Sequence, residues 1–139
     1  MKMKKGFTLV ELLIVLAVIA ALLSVATPLA LNAVKAAKAS QVAQNFKAIK
    51  SAVENWFNTE TPDDISELTL KELKNAGYLS NVPGSFSLTA PSSGTNGVYE
   101  FTIEYTGGDV EADKVQKNLP EVSKDSDKLV LTFDLQKWW

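Results

Sequence analysis

Residues 7–34 read FTLVELLIVLAVIAALLSVATPLALNAV, and Glu11 is the only ionisable side chain among them. From Leu12 to Ala26 every residue is apolar apart from Ser24. The stretch exceeds the ~20 residues that an α-helix needs to span the hydrocarbon of a bilayer. The alternative, a helix buried inside a soluble core, fails because the remainder of a 139-residue chain is too small to surround it. The segment is therefore expected to enter a membrane. Lys2, Lys4 and Lys5 precede it, which places the N-terminus on the cytoplasmic side. A secretory signal would have an apolar core of roughly 7–15 residues and small residues at its cut. This core runs longer, and Leu31-Asn32-Ala33 is a poor small-x-small match.

Beyond Val34 the chain turns polar but keeps a helical beat. Ala39, Val42, Phe46, Ile49, Val53 and Trp56 alternate spacings of three and four and form one apolar stripe. Lys38, Gln41, Gln44, Asn45, Lys47 and Lys50 fall elsewhere on the wheel. A membrane helix is thus expected to run into an amphipathic one over 35–58, broken only by Pro28. From Phe7 to Asn58 it would extend about 78 Å at roughly 1.5 Å per residue. Thr61-Pro62-Asp63-Asp64 ends it. Thr69-x-x-Glu72 has the form of a capping box and Gly77 that of a helix stop, which predicts a short helix over Leu70–Ala76.

The rest reads as strands. A short run covers Ser85–Ala90. In Val98–Tyr105, Tyr99, Phe101, Ile103 and Tyr105 alternate with polar residues. In Lys128–Gln136, Leu129, Leu131, Phe133 and Leu135 do the same against Val130, Thr132 and Asp134. One apolar face and one polar face mark an antiparallel sheet packed on a single side. Asp109–Asn118 is expected to be a helical turn or short helix, stopped by Pro120. The fold class is α+β, a long N-terminal helix packed on a small antiparallel sheet. The chain divides into a basic leader at 1–6, an apolar helix at 7–34 and a globular head at 35–139.

Composition excludes several activities. The chain has no His and no Cys, and every one of its 14 cations is a lysine. It therefore lacks a His-based general base, a Cys nucleophile, an ordinary zinc site and the bidentate fork of arginine. Without Lys2, Lys4 and Lys5 the net charge falls from -2 to -5, and an acidic exterior opposes phosphate binding. No enzyme, cofactor, metal or nucleic-acid site is expected.

Two residues stand out. A carboxylate in an apolar helix costs roughly 2.5–3.5 kcal/mol at the bilayer centre and less near the interface, so Glu11 should have a partner. No cation of the same helix supplies one. Pro28 removes a helix hydrogen bond and crowds the turn before it, which predicts a kink.

Lys4-Lys5-Gly6-Phe7-Thr8-Leu9-Val10-Glu11-Leu12-Leu13-Ile14-Val15 closely resembles the class III leader and mature start of type IV pilins and pseudopilins. The resemblance covers about the first third of the chain. It implies cleavage after Gly6 by prepilin peptidase and N-methylation of the new Phe7 amine. It also implies that Thr8 and Glu11 serve subunit assembly, that the helix kinks or loosens at Pro28, and that the fold is pilin-like. Cleavage would create a positive amine at Phe7 whose counter-charge Glu11 of a neighbouring subunit can provide. Two unit charges ~4 Å apart attract by about 4 kcal/mol at an effective dielectric of 20, before desolvation.

The function so implied is structural. A precursor inserted in the membrane lipid is cleaved, handed to inner-membrane assembly machinery, and built into a helical homo-oligomeric filament at the cell surface. The alternatives are a pseudopilin of a type II secretion or DNA-uptake system, and a signal-anchored binding protein with no filament. Asp125-Ser126-Asp127 with Asp109 and Asp113 resembles a calcium loop of some pseudopilins only loosely and matches no EF-hand. Trp138-Trp139 is read as a lid on the core, with a fibre contact as the alternative. Many pilins staple this region with a disulfide, so here the strand Lys128–Gln136 must hold it.

Overall fold

The computed structural model describes residues 6–139. The leader residues Lys2, Lys4 and Lys5, with the orientation expected from them, lie outside the described part. Elements follow in the order α1 (Leu9–Glu60), α2 (Leu70–Asn75), β1 (Phe86–Thr89), β2 (Val98–Tyr105), α3 (Ala112–Asn118), β3 (Ser123–Asp125) and β4 (Lys128–Gln136). The protein is α+β, with a long helix packed on a four-stranded antiparallel sheet. Two compact units are present, Met1–Lys35 and Ala36–Trp139. α1 contributes to both.

In the first unit every residue from Leu9 onward is helical. Its large apolar side chains, from Leu9 to Val34, are exposed, and it is long and apolar enough to cross a membrane. Pro28 lies inside α1 and the helix continues through it, so the break expected there does not occur. The reason is local: proline deletes one amide donor, while the hydrogen bonds on either side persist. Ser24, one turn earlier, donates its hydroxyl to the Ala21 carbonyl at 2.7 Å and so does not serve the carbonyl that proline leaves free.

In the second unit α1 buries Ala39, Val42, Ala43, Phe46, Ile49, Ala52, Val53 and Phe57. The last large residue of the stripe is therefore Phe57, fully buried, while Trp56 sits at its flank, partly buried. Position 57 follows Val53 by four residues and falls near the centre of the stripe with Ala39 and Phe46, whereas position 56, rotated about 100° from 57, falls at its edge beyond Ile49. The sheet runs β1-β2-β4-β3, antiparallel throughout. Phe101 opposes Phe133 and Ile103 opposes Leu131 on the inner face. Their side chains meet the helix: Phe57 packs edge-on against Phe101 with centroids 6.1 Å apart, and Phe46 against Phe86 at 5.0 Å.

Two turns explain how the sheet closes. Asn96 and Gly97 take φ of 54° and 79°, the two positive values a type I′ hairpin requires, and a Cβ at Gly97 would meet Gln136 Nε2 at 2.8 Å. Past β3, Ser126 at φ 54° turns the chain into β4. β3 was not anticipated, because Ser-Lys-Asp has neither apolar alternation nor β-propensity. It forms as the short partner of β4. α2 ends at Gly77 (φ 88°) in a Schellman motif, with the Tyr78 amide donating to Leu73 O at 2.9 Å and the Gly77 amide to Lys74 O at 3.1 Å.

Candidate functional site

Gly6, Phe7 and Thr8 are non-helical, and α1 starts at Leu9. Phe7 is 78% exposed, and among the described residues nothing lies within 4 Å of where a Gly6 side chain would begin. The peptide between them is open to an approaching enzyme. Just after it, two hydrogen bonds fix the start of the helix. The Glu11 amide donates to Thr8 Oγ1 at 3.1 Å, and the Thr8 amide donates to Glu11 Oε2 at 3.1 Å. This is a reciprocal capping box, with Thr8 at the N-cap and Glu11 three residues in. The carboxylate is stabilised further by the partial positive charge of a helix N-terminus.

Thr8 and Glu11 are thus brought together in one chain, one residue beyond Phe7. The Thr-x-x-Glu pattern that announced α2 is also present at Thr8–Glu11, so the box could be read from sequence. The helical periodicity of the apolar run hid it. Pro28 is placed well away from this site, about five turns along the same helix.

The acidic residues near the second half of the chain do other work. Tyr105 donates its hydroxyl to Asp109 Oδ1, and Lys38 of α1 reaches Asp109 Oδ2 at 3.3 Å. The Tyr105 hydroxyl holds the Asp109 carboxyl below the usual carboxylate range, with a smaller contribution from Lys38. Burial first, and then the Asp109 carboxylate, push the Tyr105 phenol up to about 12. Lys50 of α1 pairs with Glu121 at 3.0 Å. The two lysines pin both ends of the α3 segment to α1, with Val115 and Leu119 buried between them and Val122 buried just beyond. Among the described residues no group of three acidic side chains is arranged to hold a metal ion.

The tryptophan pair splits in role. Trp139 lies against Phe57 with centroids 4.8 Å apart and is the lid expected. Trp138 is 65% exposed and donates its indole N–H to Asn58 Oδ1 at 3.2 Å. The Lys137 amide ties the segment to Gly97 O at 2.7 Å.

Comparison with known proteins places these features. A family model described as the prokaryotic N-terminal methylation motif matches residues 1–27. The fimbrial protein EcpC of Eikenella corrodens is 31% identical over 108 residues, covering 76% of this chain and 67% of that protein. No solved structure matches the chain significantly.

Proposed function

The chain belongs to the type IV pilin and pseudopilin family, and from that premise we propose that it is the precursor of a structural subunit of a surface filament. The observation that carries this reading is the arrangement at residues 6–11. An exposed, non-helical Gly6–Phe7 peptide sits directly before a capped carboxylate, and an unburied apolar helix follows. Prepilin peptidase cleaves after Gly6 and the Phe7 amine is methylated. Before cleavage the precursor holds its apolar helix in the lipid of the cytoplasmic membrane, N-terminus inside.

Capping gives Glu11 two successive partners. In the waiting subunit the carboxylate is satisfied by the Thr8 amide of its own chain. In the filament it meets the Phe7 amine of a neighbour, and the exchange sets the axial register between subunits. An ion pair in such a core contributes specificity at least as much as stability. Pro28 gives the packed helices a place to loosen under load.

Intact-mass measurement of the mature chain is the primary test. A chain beginning at methylated Phe7 supports the proposal, and a retained leader in processing-competent cells refutes it. Electron microscopy of overproducing cells separates the two members of the family. Long surface fibres containing the protein indicate a pilus; their absence, with lost secretion or DNA uptake in a deletion strain, indicates a pseudopilus.

A further inference from the structure

The outer face of the sheet holds an electrostatic conflict that the chain does not resolve by itself. Glu100 of β2 stands directly opposite Asp134 of β4, and both are exposed. Directly opposed residues on one face have Cβ atoms about 4.5–5.5 Å apart, where like charges destabilise the pairing. Four residues along the same strand, Glu104 is answered by Lys128 at 3.0 Å. Glu100 and Asp134 have no such cation among the described residues.

The reverse situation occurs on α2. Lys71 and Lys74 are exposed and lie three residues apart, on neighbouring positions of one helix surface. That spacing separates Cβ atoms by about 5–6 Å. Neither lysine has an ion pair among the described residues. The α2 backbone that presents them is held at both ends, by the Thr69 cap and the Gly77 stop, with Leu70 and Leu73 buried beneath. Two uncompensated cations and two uncompensated anions therefore sit on rigid elements at matching separations.

We propose that Lys71 and Lys74 of one copy engage Glu100 and Asp134 of the next. Two different patches of one surface make a head-to-tail contact, which propagates instead of closing on itself when its rotation is not that of a ring. The inference rests on the filament reading and adds a contact between heads to the contact between helices. Paired charges of this kind select partner and register more than they add affinity.

The chain contains no cysteine, so introduced thiols give an unambiguous cross-link. Full-length protein carrying Lys74→Cys with Glu100→Cys, assembled in cells and sheared off, is expected to form a ladder of covalent multimers under mild oxidation. Either thiol alone should give no ladder. The double reversals Lys71→Glu/Lys74→Glu and Glu100→Lys/Asp134→Lys should each lower filament yield about tenfold, and combining all four should restore most of it. Filaments of normal yield that give no ladder overturn the proposal. A ladder from Glu100→Cys with Lys117→Cys or Lys124→Cys in place of Lys74→Cys also overturns it, because the docking cations are then others. If the unaltered chain makes no filament, the filament reading itself fails, and that control reports it separately.

Discussion

Glu11 caps its own helix, and one substitution can separate that role from the charge pairing proposed for it. Gln is accepted in a capping box but carries no charge. Glu11→Gln should therefore keep the helix start, seen as protected Thr8 and Glu11 amides in hydrogen exchange, while filament yield falls at least about tenfold. Glu11→Ala should lose both, with membrane insertion and cleavage unchanged in each variant. Wild-type yield from Glu11→Gln would show that assembly uses the cap and not the charge. At Tyr105 the sign of the pH effect follows from the raised phenol. The free phenol ionises near 10 and the folded one near 12, so the folded state favours the neutral form. Its contribution is complete below pH 10 and is lost as pH rises toward 12. Denaturant midpoints of the full chain in detergent should fall over that window, and Tyr105→Phe should flatten the fall. Asp109 has the opposite sense: its contribution is present above the ordinary carboxylate range and is lost as acid protonates it.

At the scale of elements, the long helix is the part whose packing decides the head. Phe57 is fully buried and touches Tyr99, Phe101 and Trp139, so Phe57→Ala should cost about 3–5 kcal/mol of head stability. Gly77→Ala, at φ 88°, should cost about 1 kcal/mol in the same denaturation measurement, and the loss would appear as fraying of α2. The elements with a strong period were legible in advance. β2 and β4 alternate cleanly because one face of each is buried, and both occupy the residues expected. β1 came out shorter than the Ser85–Ala90 run, and α3 begins at Ala112, because turn residues at their ends carry no period. β3 was invisible, since its pairing comes from β4 and not from its own side chains. Of the candidate site, Gly6, Phe7 and Glu11 were legible through their residue types and order. The Thr8–Glu11 box and the Asn96-Gly97 turn are both encoded in local residue types and spacing. The Tyr105–Asp109–Lys38 link joins positions up to 71 residues apart, which no local pattern reveals.

At the scale of the whole molecule, every buried side chain among the described residues lies at Ala39 or later. The head therefore closes its core without the apolar helix. Residues 36–139 expressed alone should fold into a soluble monomer, checked by gel filtration and a cooperative melt; an aggregated or unfolded product would show that the head depends on the first unit. The order of strands has a further consequence for manufacture. β4 follows the other described strands in the chain, yet it stands inside the sheet, bonded to β2 on one side and β3 on the other. The residues after it lock onto Gly97, Asn58 and Phe57. A chain that stopped before Lys128 would leave β2 and β3 without their shared neighbour. Placement of β4 is thus the event that completes the sheet, and a copy lacking it would be left exposed to proteolysis.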